Sequence, residues 1–239
     1  VGEKETREGK GVKANKKELI STFDVIARNP QSEYVYLREN EITIFEAPYV
    51  LHNLKVLDLS LNCITGPCEW LSLMPNLRHL YLTGNYINTL YGFSGLEELE
   101  TLAISSNRIS SFEGLNSLPK LRVLSMKLNE IESFENFPLL PSLYAINLAG
   151  NPISDNDDYR KLTIAVCNRE TLCKIDGQDV DEDDNEGLQT FSGKVAFCMM
   201  EGFVPGEDST VEEQSAQFLL QRQQEQAADR SLWPHHISI

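Results

Sequence analysis

The sequence has no apolar run approaching the roughly 18–20 residues that a membrane-spanning helix requires, which argues against a helical membrane protein. It has no Asn-x-Ser/Thr sequon, and its five cysteines are scattered as Cys63, Cys68, Cys167, Cys173 and Cys198. An odd, unclustered set does not make a disulfide framework, so both absences point to a reducing, intracellular setting. Each cysteine reads as a small buried apolar residue. Cys63 and Cys68 have no His or second pair nearby to complete a zinc site. Residues Val1 to Glu8 alternate charges and lack the apolar core of a signal peptide. Histidine is scarce: His52, His79, His235 and His236. Glycine-rich phosphate loops and nucleophile elbows are missing as well. With no convergent acid, base or nucleophile, the expectation is a chain that is not an enzyme and holds no cofactor and no metal. Positive charge is also in short supply, with 21 Lys and Arg against 36 Asp and Glu. A net charge of −15 makes nucleic acid an unpromising partner, because phosphate backbones reward clustered cations.

What is present is a folded composition, 41% hydrophobic, with an uneven charge distribution. Residues 1–30 carry seven Lys and Arg against five acids, residues 31–153 seven against thirteen, and residues 154–239 seven against eighteen. The densest acidic run spans Asp179 to Glu186. It lacks the alternating ligands, central Gly and terminal Glu of a calcium loop, and reads as a solvated loop.

The dominant signal is a repeat. On the template L-x-x-L-x-L-x-x-N-x-I, residues 54–64 read LKVLDLSLNCI, 77–87 LRHLYLTGNYI, 99–109 LETLAISSNRI, 121–131 LRVLSMKLNEI and 143–153 LYAINLAGNPI. A looser copy, SEYVYLRENEI, occupies 32–42. The template asparagines are Asn40, Asn62, Asn85, Asn107, Asn129 and Asn151, spaced by 22, 23, 22, 22 and 22 residues. In L-x-x-L-x-L the last two apolar residues are two apart, so on a strand both point inward. Each copy therefore predicts one short strand, and stacking the copies builds a parallel sheet. The Asn side chain, donor and acceptor at once, suits the buried turn that follows. A buried residue with this strict period reads as structural rather than as a ligand. On the return leg apolar residues recur every three positions, as in Phe112, Leu115, Leu118 and Leu121, which suits tight helical turns rather than a second strand.

The pattern over residues 32–180 resembles the 22-residue class of leucine-rich repeats found in a regulator of type-1 phosphatase, the axonemal dynein leucine-rich light chain and the U2 A-prime protein. The fold this implies is α/β: a leucine-rich-repeat solenoid with a parallel sheet on its concave face, short helical turns on its convex face, and a helical C-terminal cap. Asn151-Pro152-Ile153, Tyr159-Arg160 and Leu172 to Gly177 match the cap of that class. Asp158 to Cys167 reads as the capping helix. The expected organisation is a polar lead-in and N-terminal cover at 1–31, six repeats at 32–153 and the cap at 154–180. An acidic linker, a short strand and helix, and a terminal tail occupy 181–239. Phe23, Val25 and Ile26 would face the first coil from the N-terminal cover. In the tail, GKVAFCMMEGFVPGEDSTVEEQSAQFLLQRQQEQ is similar to the segment after the repeats in the auxin-induced-in-root-cultures family of microtubule-associated proteins. The long basic, Ser-rich region and the immunoglobulin-like repeats of that family are not in this sequence.

On the exposed strand positions, one column reads Tyr36, Asp58, Tyr81, Ala103, Ser125, Asn147; beside it run Tyr34, Val56, His79, Thr101, Val123, Ala145 and Arg38, Ser60, Thr83, Ser105, Lys127, Ala149. Tyr and Arg are enriched in binding hot spots. Tyr34, Tyr36, Arg38, Asp58, His79 and Tyr81 are therefore the candidate partner-binding residues. The resemblance implies a non-catalytic, cytoplasmic protein-interaction module, associated with microtubules or a cytoskeletal complex, or placed in a cilium or flagellum. A phosphatase or dynein regulatory subunit and a nuclear ribonucleoprotein scaffold stay open as alternatives.

Overall fold

A computed structural model describes residues 11–116, 118–181, 184 and 221. The short strand and helix read from the tail sequence, together with Cys198, His235 and His236, lie outside the described residues. One nine-stranded sheet runs through the described chain in sequence order. Its strands are β1 (Gly11–Lys13), β2 (Tyr34–Tyr36), β3 (Val56–Asp58), β4 (His79–Tyr81), β5 (Thr101–Ala103), β6 (Val123–Ser125), β7 (Ala145–Asn147), β8 (Lys174–Ile175) and β9 (Gln178–Asp179). Neighbours from β1 to β8 pair in parallel, and β9 folds back antiparallel on β8. This is a leucine-rich-repeat solenoid: each coil contributes one strand and can bury its apolar face only against the next coil.

The core consists of stacked rows. Leu57, Leu80, Leu102 and Leu124 form one fully buried row, and Leu59, Leu82, Ile104, Met126 and Leu148 form the row two residues later. On the far side of the core aromatic rings fill the coils: Phe45 stacks on Trp70 at 5.3 Å, and Phe137 meets Phe112 and Phe134 edge-on at 5.0 and 5.7 Å. Cys68 lies wholly inside, where desolvation pushes its thiol up to about 12.

The return legs contain little continuous helix. Their three-residue apolar spacing is realised as successive single turns, each closed by one backbone bond between apolar residues: Leu115 N to Phe112 O at 3.0 Å, then Leu121 N to Leu118 O at 3.1 Å. Among the described residues only Glu69–Leu73 and Pro152–Asp155 reach the length of a 3-10 helix. A 22-residue coil that spends eleven residues on its strand and turn has no room for more.

At each Asn position the side chain joins two coils. Asn107 Nδ2 donates to Ile104 O of its own coil and to Leu82 O of the coil before, both at 3.0 Å, while its Oδ1 accepts Ile87 N–H at 2.9 Å. Asn62, Asn85, Asn129 and Asn151 repeat this set. Asn40 does so with Ala14 O, Leu37 O and the Lys17 and Leu19 amides. The residue before each of these asparagines is left-handed, including Leu61, Ser106 and Leu128.

The N-terminal end differs from the organisation read off the sequence. Residues 11–13 are not lead-in but a strand of the sheet, pairing with β2 and burying Val12. Without an L-x-x-L signature this coil is invisible to the template, yet β2 offers it an open edge. The helix α1 (Phe23–Arg28) covers the first coil through Ile26, whereas Phe23 is exposed. The interior place goes instead to Thr22, whose hydroxyl donates to Glu46 O and accepts the Glu46 N–H. At the other end α2 (Tyr159–Val166) buries Tyr159, Leu162, Thr163 and Ile164, and Leu172 and Ile175 close the last coil. Two residues of the acidic run are fastened to this cap. Arg160 grips Asp184 with two bonds at 2.6 and 2.7 Å, and Lys174 pairs with Asp179 at 2.6 Å. The guanidinium holds the Asp184 carboxyl below its usual value. The sheet then ends on a two-residue exposed edge strand, too short to template further pairing.

Candidate functional site

The face of the sheet opposite the core is the concave one in solenoids of this kind. Strand register aligns side chains across it. Tyr36, Asp58 and Tyr81 are direct partners on β2, β3 and β4, as are Tyr34, Val56 and His79. The same two rows continue through Ala103, Ser125 and Asn147, and through Thr101, Val123 and Ala145. Alternation along each strand makes these the outward positions, because Val35, Leu57 and Leu80 between them are fully buried.

The structure brings five of the six candidate residues together on three adjacent strands. Tyr34, Tyr36, Asp58, His79 and Tyr81 are half-buried, while Arg38 is exposed at the margin. Asp58 Oδ1 accepts the Ser60 N–H at 2.9 Å, which orients the carboxylate from below. His79 Nδ1 lies 3.1 Å from Thr101 Oγ1. Burial, with Tyr36 and Asp58 beside it, pushes the Tyr81 phenol above its ordinary value. Arg38 is turned toward its own strand's exit: its Nε meets Glu39 at 3.3 Å, and Glu39 also takes Lys16 at 3.0 Å. Arg38 therefore belongs to a rim ion cluster rather than to the ring cluster.

Two members of these rows do not follow from the repeat template. Lys13 sits beside Tyr36, brought there by β1, and Lys174 beside Ala145, brought by β8. For Lys13 the sequence signal is a single apolar residue, Val12, whereas Lys174 lies in the Leu172 to Gly177 stretch that matches the cap. Toward β7 the face changes character, with Ala103, Ser125 and Ala145 replacing the rings, and Ser105 and Ser125 hydroxyls 2.9 Å apart. A separate row at the strand entrances, Glu33, Lys55, Arg78, Glu100, Arg122 and Tyr144, mixes both signs. Lys55 meets Glu33 at 2.7 Å, Arg78 meets Glu100 at 3.6 Å, and Arg122 lies 6.0 Å from the Tyr144 ring centre. Glu33 and Glu100 interrupt the row, so it offers no continuous basic track for a phosphate backbone.

Family models agree with this architecture. The family model "Leucine rich repeat" matches residues 35–87 and 67–109, and "Leucine Rich repeats (2 copies)" matches 97–139. The chain is 43% identical over 75 residues to the 187-kDa microtubule-associated protein AIR9 of Arabidopsis thaliana, a stretch covering 31% of this chain and 4% of that protein. It is 38% identical over 58 residues to Receptor-like protein 14 of Arabidopsis thaliana, covering 23% of this chain and 6% of that one. The chain thus spans only a few per cent of the length of these curated relatives. A solved structure, the Drosophila melanogaster SNF/U2A' complex, aligns over 82% of this chain and 91% of its own with 19% identity and a TM-score of 0.41. Among the described residues no helix is long and apolar enough to cross a membrane.

Proposed function

We propose that this leucine-rich-repeat chain is a non-catalytic protein-interaction module that acts as a cytoplasmic adaptor of the cytoskeleton. The observation that carries the interaction reading is the ring cluster on β2 to β4. Tyr36, Asp58 and Tyr81 stand in one register row, half-buried, on a face that the core does not use. Rigid aromatic side chains held on adjacent strands lose little entropy when a partner arrives, which is why such residues dominate interface energetics. Tyr34 and His79 widen the patch, and Arg38 supplies its charged rim. The cytoskeletal part of the reading is supported by the 43% identity to a microtubule-associated protein, which falls in a short stretch.

Co-sedimentation of the purified chain with assembled microtubules at two salt concentrations tests both parts. The wild type pellets with the polymer, and the Tyr36→Ala, Tyr81→Ala double variant pellets severalfold less. Its thermal melt stays within a few degrees of wild type, because neither ring lies in the core. A wild type that stays in the supernatant at low salt refutes the cytoskeletal reading. Equal pelleting of the double variant refutes the assignment of the contact surface.

A further inference from the structure

Strand β3 is sunk between its neighbours. Val56 and Ser60 alternate with the inward Leu57 and Leu59 and so face outward, yet they are only 8% and 3% exposed. Val123 holds the same register position as Val56 three strands on and is 37% exposed. The difference lies in what stands on either side. Val123 is flanked by Thr101 and Ala145, whereas Val56 is flanked by Tyr34 and His79, and Asp58 by Tyr36 and Tyr81. Between the two tyrosines the strand face therefore forms a slot with a carboxylate at its floor.

The chemistry of the slot is specific. Neighbouring strands lie about 4.8 Å apart, so the backbones bearing Tyr36 and Tyr81 are roughly 10 Å from each other. That admits one flat or compact group with a ring on each side. Asp58 uses one oxygen for the Ser60 N–H, and no cation pairs with it among the described residues. The nearby cations are otherwise disposed: Lys16 and Arg38 both pair with Glu39, and Lys13 lies on the far side of Tyr36. A half-buried carboxylate with no cation, flanked by tyrosines on both neighbouring strands, is complementary to a positive charge, which aromatic rings also attract. The chain's net charge of −15 attracts such a group over longer range.

We propose that the slot over β3 receives the cationic side chain of a basic partner segment, an Arg or Lys whose head enters between Tyr36 and Tyr81 and pairs with Asp58. The proposal rests on the reading of this face as the contact surface, and it adds the charge class of what is contacted.

The full chain, carrying 13C-labelled tyrosine, is titrated at low salt with three capped tripeptides: Gly-Arg-Gly, Gly-Lys-Gly and Gly-citrulline-Gly. The Arg or Lys tripeptide moves the Tyr36 and Tyr81 ring signals saturably, while exposed Tyr91, outside the strand rows, does not move. Citrulline, neutral and nearly the same shape as arginine, leaves the Tyr36 and Tyr81 signals in place. Asp58→Asn weakens the cation response about tenfold or more, the scale of one charge-assisted bond. This variant keeps the local backbone contact, because Asn147 in the same row accepts the Ala149 N–H at 3.2 Å with its amide oxygen. Silence toward both cations, an equal response to citrulline, or an undiminished response in Asp58→Asn overturns the proposal. If the tripeptides bind as described while the Tyr36→Ala, Tyr81→Ala variant still pellets normally, the slot stands and the contact-surface reading falls.

Discussion

Replacing Asn107 by alanine removes three buried hydrogen bonds, but the three groups left behind do not suffer equally. Leu82 O also accepts from Asn85 at 2.9 Å, and Ile104 O also accepts from Asn129 at 3.1 Å. Each interior carbonyl is served by two successive asparagines, so both keep one partner. Ile87 N–H has only Asn107 Oδ1, at 2.9 Å, and is orphaned in the core. An orphaned buried donor costs about 1–3 kcal/mol, and a weakened carbonyl about half a kcal/mol each. The sum is about 2–4 kcal/mol, which with a urea m-value of about 2 kcal/mol/M lowers the unfolding midpoint by about 1–2 M. Urea denaturation followed by circular dichroism measures the midpoint. Amide hydrogen exchange measures the cause: Ile87 N–H exchanges much faster in the variant, while other core amides of its coil stay protected until global unfolding. A loss below about 1 kcal/mol, or an Ile87 amide as protected as in wild type, would refute this accounting.

Two glycines in left-handed turns separate backbone freedom from close approach. A Cβ at Gly92 would stand 2.4 Å from the Cys68 carbonyl carbon, so Gly92→Ala forces two coils apart. Gly95 has nothing within 4 Å, so Gly95→Ala costs only the left-handed conformation, about 1 kcal/mol. Thermal melts should show a drop several times larger for Gly92→Ala. Arg160 holds the Asp184 carboxyl below its ordinary value of 3.8, so this pair stabilises the fold above that value and the contribution is lost as pH falls through the lowered one. The midpoint gap between wild type and Asp184→Asn, measured in urea, should be full at pH 6 and narrow as pH falls below the ordinary carboxylate value; a gap that does not narrow on acidification counts against the pair as its source.

The fold was legible because the repeat reports its own geometry. A period of 22 residues with L-x-L at one phase places one strand in every coil, and equal spacing forces equal register. Tyr36, Asp58 and Tyr81 therefore align from the period alone, and the strand register agrees. The one-residue insertion between Asn62 and Asn85 left this register intact, because it falls in the return leg before β4, where Gly66, Pro67 and the Glu69–Leu73 turn take it up. Where the period stops, so does the signal. The strand Gly11–Lys13 has one buried side chain in three residues and carries too little pattern to be recognised.

By itself the sequence determined the architecture, the asparagine bridges between coils and the rows of side chains across the sheet, since all three follow from a period and the alternation of a strand. Only the tertiary structure decided how deep each exposed position sits. Val56 and Val123 occupy equivalent places in the repeat, yet one is covered and the other open, because depth depends on the bulk of side chains 22 or 23 residues away on each side. It also decided that Arg38 turns to Glu39 on the rim and that Asp184 returns to Arg160 on the cap. The second pair spans 24 residues, and pairing at that distance depends on which side chains the fold brings within reach, which a local pattern does not encode.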